Sequence, residues 1–562
     1  MNKHVINPRH DFTSVRHLIE WAADTYGEDI AYSFRRTPGA EVENISFARL
    51  RDDVRALTCR LRDLGCTGRH CVLMGKFTYQ WVLTYFSVMA AGGVLVPLDR
   101  DWLAADLAKT AADADAAFLF CDADLREKAE AVAAQTALCR EPVYFTAGES
   151  GDFDSLLSEG RMLFPLREES YFDSPIDPMR MSLLVFTSGT TGKGKGVMLS
   201  QNAVLSCMSE AIPYIRFGKK TVGVLPLHHT YGSTIMLLGH VMIGCEVYMS
   251  AGIRYVQKEL KEQKPQHLIL VPLYLETFYR KIMANIKEKG KEELVRRMIG
   301  VSNALRAAGV DMRAKFFAEI RAAFGGEVNM IITGGAPVNP KILHFFESIG
   351  ITMLNGYGIT ECAPLISVNR SKNVVDGSVG NVLEMDTVRI HAPNEAGEGE
   401  IWVKGPNVML GYYKNEKATA DAFAEGYFRT GDYGRLTKDG VLFITGRKKN
   451  LIILQNGKNV YPEEIENELV AVPGVQDVIV YEGQSRRGIS HNAIVAEIYP
   501  DREYLEKNGI PDAEAHLKPY IDSYNRTAVP YKKISVLKVR TEEFPKNTLR
   551  KIMRFQLDMS IE

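Results

Sequence analysis

The sequence predicts an α/β protein assembled from several packing units, and three observations lead there. The chain has 562 residues, more than one hydrophobic core holds, so three or more units are expected. Over the first two thirds, short apolar runs alternate with helical patterns, the texture of a parallel α/β architecture. From about Val374 to Gly446 that texture gives way to short strands between glycine-rich turns, a small β unit. Beyond Lys449 comes a compact α+β segment.

Taken in chain order, the opening MNKHVINPRHDFTSV has no apolar core and does not read as a signal peptide, so a cytoplasmic location is expected. The most apolar stretch, WVLTYFSVMAAGGVLVPL, is broken by Gly-Gly and ends at proline. It reads as a buried helix followed by a strand rather than a transmembrane segment. Strand-like runs follow as CVLMG, VLVPL, AFLFC, LLVF, VGVLPL, HLILV and NMIIT, with helical patterns such as DWLAADLAKTAADADA and PKILHFFESIG between them. Residues 280–324 are charged with helical period and read as a solvated helical insertion. VRIHAP, GEIWVKG and GVLFITG supply the strands of the β unit. Hydrophobic content of 46% and charged content of 24% are ordinary for a soluble globular protein. A net charge of -1 excludes the basic field that nucleic acid or an anionic lipid surface would require. None of the 8 cysteines stands in a CxxC pair, and reduced, buried thiols are expected.

The chemistry concentrates in VFTSGTTGKGKGVMLS. Leu183 to Phe186 runs as a strand into Thr187, Ser188, Gly189, Thr190, Thr191 and Gly192, followed by Lys193 and Lys195. The glycines let the backbone turn and bring N–H groups to an anion, the hydroxyls add donors, and the lysines add charge, all of which suits a polyphosphate. Gly189 to Lys195 fits seven positions of the Walker A loop, but Gly196 stands where that loop needs a hydroxyl for Mg²⁺. Val197 to Ser200 reads as a returning strand with a helix starting after it, so the loop is expected to be hairpin-like.

TSGTTGxxKGV followed by a helix resembles the signature of the adenylate-forming, AMP-binding superfamily, and the charged helical insertion at 280–324, with VPLYLETFYRKI before it, resembles that of its long-chain fatty-acid CoA ligase branch. Further motifs keep the family's order: LPLHHTYG (225–232), ITGGAP (332–337), NGYGITE (355–361), GEIWVKGPNVMLGYY (399–413), YFRTGDYG (427–434), TGRKKNLIILQNGKNVYPEEIE (445–466) and FPKNTLRKIMR (544–554). A Walker-type ATPase or kinase predicts none of these. The resemblance implies a large N-terminal domain, residues 1–448, of two α/β subdomains plus a small β-barrel. A small mobile α+β lid, residues 449–562, completes the expected fold.

The resemblance also assigns roles. The turn Gly335-Ala336-Pro337 receives adenine. In Asn355-Gly356-Tyr357-Gly358, Tyr357 stacks on the base. Thr360 bonds the α-phosphate and Glu361 holds Mg²⁺, a single carboxylate beside phosphate oxygens being a usual magnesium arrangement. Asp432 accepts both ribose hydroxyls, as suits a group that only accepts, and Arg447 supports the ribose and phosphate side. His229 stands near the acyl carboxylate and gates the thiol tunnel, with His228 replacing the aromatic residue usual before it. Lys551 neutralises charge as the carboxylate attacks the α-phosphate. Lys449 is the hinge and Gly457 lines the tunnel for coenzyme A. Tyr231, Gly232, Ser233, Thr234, Thr333 and Cys362 are the candidate acyl-pocket positions, with no basic anchor for a second carboxylate. Three departures from the family pattern stand out: Gly194 where proline is common, Arg550 in place of a glycine, and the order Asn547-Thr548.

The implied reaction uses ATP, Mg²⁺ and coenzyme A to convert a carboxylic acid, by this reading a fatty acid, to its thioester through an acyl adenylate. An acyl–carrier-protein ligase or an aryl-acid CoA ligase shares the first step.

Overall fold

The computed structural model describes residues 4–145, 152–187, 194–454, 459–484, 490–546 and 552–561. A seven-stranded sheet is ordered Gly411–Tyr412, Lys195–Ser200, Met181–Thr187, Val94–Pro97, His70–Met74, Ala116–Asp122 and Val143–Phe145. The last five of these run parallel. Parallel strands are covered on both faces, so they read as unbroken apolar runs, and every residue of His70–Met74 is buried. The apolar stretch forms the helix Tyr79–Ala90, begun by Thr78, whose side chain accepts from the Trp81 N–H. All of that helix except Gln80 is buried, and the strand Val94–Pro97 follows. Among the described residues no helix is long and apolar enough to cross a membrane.

A second sheet is ordered His267–Leu270, Met330–Thr333, Thr352–Gly358, Leu365–Val368 and Asn381–Val382. Its first three strands are parallel and in step. His267, Met330 and Thr352 lie level at their amino ends, and Leu270, Thr333 and Asn355 at their carboxyl ends. A third sheet joins Glu43–Ser46, Ile30–Phe34, Glu246–Met249 and Lys220–Gly223. The run VGVLPL extends further in sequence than this last strand does. Pro226 has no N–H to give a ladder, and the chain leaves the sheet at Gly223.

The β unit is a five-stranded sheet containing Thr387–His391, Gly399–Lys404, Tyr427–Leu436, Phe423–Ala424 and Leu442–Arg447. One segment inside its sequence span belongs elsewhere: Gly411–Tyr412 pairs with Val197 and Met198 in the seven-stranded sheet. Further on, Val475–Gln484, Ser490–Pro500 and Val536–Val539 form a three-stranded sheet, packed on a separate apolar cluster that includes Ile452, Ile465, Val480, Leu517 and Ile534. The charged insertion is helical, as its period predicts. Its first helix starts earlier, at Pro272–Glu288, with Leu275, Phe278, Ile282 and Ile286 buried, whereas Glu292–Ala307 buries only Ser302.

Between the β unit and the core, Asp386 is held under a tight cover. Asn407 Nδ2 donates to its Oδ2 at 2.9 Å and to Leu365 O at 2.8 Å, while Oδ1 has no hydrogen-bond partner among the described residues. Burial pushes this carboxyl up to about 8, opposed by the Asn407 hydrogen bond. A folded-state value above the usual carboxylate range means that the protonated form is favoured on folding. That stabilisation is fully present below the unfolded value of about 4 and is lost as pH rises through about 8. Asp386→Asn is therefore expected to gain thermal stability relative to the native chain between pH 6 and pH 9. Parallel melting curves across that range would show that Asp386 is already ionised.

Candidate active site

The loop rises from a hairpin neck, as its sequence implies. Met181–Thr187 and Lys195–Ser200 pair antiparallel, ending at Thr187 opposite Lys195. Gly194 sits at this neck, where a Cβ would lie 2.9 Å from Thr187 O. The next helix, Gln201–Ala211, is capped by the Ser200 hydroxyl, which accepts from the Ala203 N–H. Ser188, Gly189, Thr190, Thr191 and Gly192 lie outside the described residues, as do Gly457 and Lys551.

Two small clusters form across the carboxyl ends of the strands, where open α/β sheets bind their ligands. In the first, the Tyr412 hydroxyl donates to Glu361 Oε1 at 2.9 Å, and Lys195 Nζ stands 4.6 Å from the Tyr412 ring centre. One buried tyrosine thus joins the loop lysine to the expected magnesium carboxylate. Glu361 is further fixed by its carbonyl, which accepts from Met409 N–H at 2.8 Å. Thr360 and Glu361 share a single turn, Thr360–Cys362. Tyr412 stands in the motif GEIWVKGPNVMLGYY, but its link to Glu361 spans 51 residues and no local pattern encodes it.

In the second cluster, the Tyr357 hydroxyl donates to Asp432 Oδ2 at 2.7 Å and Arg447 Nε lies 2.9 Å from Asp432 Oδ1. Asp432 and Arg447 face each other in register on neighbouring antiparallel strands. Asp432 is only 2% exposed, yet each of its oxygens retains a second lone pair. Burial, reinforced by the Asp432 charge, holds the Tyr357 phenol well above its usual range, and Asp432 raises the Arg447 guanidinium. The Asn355 backbone N–H donates to Asn369 Oδ1 at 2.9 Å. Gly356 and Gly358 keep the strand thin, and a Cβ at Gly358 would lie 1.7 Å from Pro364 O. Gly335 has φ 85°, a conformation glycine adopts without strain, and Gly335, Ala336 and Pro337 are exposed at the strand end.

An apolar cavity opens beside these clusters. Gly334, Gly335, Gly356, Tyr357 and Gly358 form one end, and Tyr231, Thr333, Ile332, Ile235, Met208, Phe217 and His240 are among the rest of its wall. Among the described residues no Lys, Arg, Asp or Glu lines it. Of the six pocket positions named from the sequence, Tyr231 and Thr333 line this cavity. Gly232, Ser233, Thr234 and Cys362 do not; Gly232 is pressed against Pro226, where a Cβ would lie 2.1 Å from the carbonyl oxygen. Phe217 and His240 carry no motif, and their place on the wall comes from the packing.

His229 stands just before the turn Thr230–Ser233, its ring 4.1 Å from that of His228. His228 Nε2 lies 3.5 Å from Asp99 Oδ2, and burial lowers His228 to about 4, so it is neutral near pH 7. Lys449 is exposed in the turn Lys448–Asn450. On one side Lys448 Nζ bonds Glu400 at 2.9 Å; on the other Asn450 Nδ2 donates to Glu463 at 2.6 Å. The described residues on either side of 547–551 are tied to the rest of the fold. Lys546 bridges Ile552, Lys546 Nζ pairs with Asp477 at 2.7 Å, and Arg554 pairs with Glu466 and donates to Val480 O at 2.8 Å.

Comparison with known proteins places this geometry. The family described as AMP-binding enzyme matches residues 19–413. Long-chain-fatty-acid–CoA ligase FadD15 of Mycobacterium bovis is 29% identical over 459 residues, covering 78% of this chain and 75% of that protein. Long-chain-fatty-acid–CoA ligase 6 of Mus musculus is 31% identical over 367 residues, covering 61% of this chain and 52% of that protein. The ATP-bound structure of MatB from Rhodopseudomonas palustris has the same fold, with a TM-score of 0.75 at 22% identity, covering 96% of this chain and 97% of that one.

Proposed function

We propose that this chain, which belongs to the AMP-binding enzyme family, joins a fatty acid to coenzyme A in two steps. In the first, a carboxylate oxygen attacks the α-phosphate of ATP, the bond to the β-phosphate breaks, and pyrophosphate leaves. In the second, the thiol sulfur attacks the acyl carbon, AMP leaves, and the thiol proton is lost to solvent. The first step is needed because a carboxylate alone would have to expel oxide.

The observation that carries this reading is the uncharged cavity ending at Gly335, Tyr357 and Gly358. It offers an apolar tail a dry wall and holds the carboxyl end beside the residues assigned to the nucleotide. In this reading Tyr357 and Gly335 bracket adenine, and Asp432 receives the ribose hydroxyls through the lone pairs left by Tyr357 and Arg447. Thr360 holds the α-phosphate. Glu361, with one oxygen engaged by Tyr412 and the other available, would hold Mg²⁺, which when bound supplies charge neutralisation at the phosphates. His229 stands near the acyl carboxylate. Residues 1–448 act as the adenylation domain and residues 449–562 as a lid that brings Lys551 to the first step and Gly457 to the thiol tunnel.

A pyrophosphate-release assay over straight-chain acids from four to sixteen carbons tests this. Each methylene that becomes buried should improve kcat/KM by up to ~0.8 kcal/mol, about fourfold, until the cavity is full. A flat series with benzoates preferred would overturn the fatty-acid assignment. Pyrophosphate release without a coenzyme A thioester would move the acceptor to a carrier protein.

A further inference from the structure

The apolar cavity reaches His240, whose ring is hydrogen-bonded to that of His267, and we propose that this pair is a rigid floor that sets the longest acyl chain the enzyme accepts. The inference rests on the fatty-acid reading of the cavity.

The register of the second sheet gives the depth. Thr333 and Asn355 lie level at the carboxyl ends of their strands, beside the glycines where the carboxyl group is placed. His267 lies at the amino end, level with Met330 and Thr352. Three residues of strand separate the two levels, about 10 Å. His240 lines the cavity and bonds His267 Nε2 to Nε2 at 2.9 Å, so the pair sits at the far end from the nucleotide residues. Both histidines are fully buried, 1% and 0% exposed.

The hydrogen bonds fix every ring nitrogen. Gly218 N–H donates to His267 Nδ1 at 3.2 Å, so His267 carries its proton on Nε2. That proton is donated to His240 Nε2, which leaves the His240 proton on Nδ1, donated to Ile235 O at 2.8 Å. Ile235 lies in Thr234–Gly239, a π-helical turn of the kind often found at functional sites. The rings lie end to end and nearly coplanar across that hydrogen bond, with centres 5.2 Å apart and planes 6° from parallel, and Phe217 packs edge-on against both. With no nitrogen free, only carbon edges are left to meet the cavity, which suits a methyl terminus. Swinging either ring aside would break hydrogen bonds and leave buried nitrogens unpaired, so the floor does not yield as a methionine or leucine would.

The same arrangement argues against a metal. Cys245 offers a third ligand atom within 4.8 Å. The His267 lone pair, however, is taken by Gly218 and its other nitrogen bears the proton, so His267 has nothing to give a cation.

The test is the chain-length profile of two variants. His240→Ala should move the steep fall in kcat/KM to acids at least two carbons longer and raise activity about tenfold on the first acid that the native enzyme rejects. His240→Phe, which keeps the bulk and loses the hydrogen bonds, should keep the native cut-off. A folded His240→Ala protein with the native cut-off overturns the proposal. If that variant gives no cooperative melting transition, the native enzyme decides: the longest accepted acid, carrying a terminal diazirine, should on irradiation label the peptide containing Phe217 or His240. Labelling elsewhere overturns the floor. A native protein that releases pyrophosphate with no acid overturns the fatty-acid reading itself and the floor with it.

Discussion

The Lys551→Ala variant is expected to lose acyl-adenylate formation by roughly 10²–10³-fold while largely keeping thioester formation from supplied acyl adenylate. Only the first step develops charge at the α-phosphate beside a leaving pyrophosphate, and a lysine aimed there acts on that charge alone. The described residues on either side of it, Lys546 and Ile552, are anchored. The Lys546–Ile552 bridge closes the base of the segment, Met553 N–H donates to Pro545 O at 2.8 Å, and ion pairs at Lys546 and Arg554 tie both sides to the three-stranded sheet and its helix. Pyrophosphate release and thioester formation from synthetic adenylate, measured separately, check this. Comparable losses in both would make Lys551 a structural residue.

The second large effect is expected at Lys449. Lys449→Pro should leave pyrophosphate release intact and lower thioester formation by orders of magnitude. Two half-reactions that share one site require the phosphate side to be vacated between them, and a backbone change at a single hinge accomplishes that. Lys449 lies between two anchored neighbours, Lys448 on Glu400 of the β unit and Asn450 on Glu463 of the helix Pro462–Leu469. Proline fixes φ near −65° at this position and limits the conformations open to Lys448 before it, so the hinge no longer passes freely between two states. Equal, mild losses in both steps would place the hinge elsewhere.

Much of the architecture is legible in short windows of the chain. The buried helix Tyr79–Ala90 and its following strand are announced by an apolar run that Gly-Gly and proline interrupt. The hairpin around the phosphate loop is announced by a strand, a glycine turn and a returning strand, and the helix after it by Ser200 in capping position. These features are local. A strand's period, a cap and a turn depend on residues within a few positions of one another, and the sequence carries them directly.

The site was decided by contacts that no window contains. Tyr357 meets Asp432 across 75 positions, Tyr412 meets Glu361 across 51, and His240 meets His267 across 27. Gly411–Tyr412, which lies in sequence within the β unit, leaves it to pair with the loop's return strand, and that pairing brings Tyr412 between Lys195 and Glu361. Cys362 and Thr234 have the size expected of pocket residues and are buried, but they do not line the cavity, while Phe217 and His240, marked by nothing in the sequence, form part of its wall. Side-chain type and spacing determined the fold class, the loop and the chemistry available to it. Which groups meet was left to the tertiary structure, because a buried hydrogen bond or a cavity wall is satisfied by whichever element the sheet register brings alongside, and register is settled by the packing of the whole core.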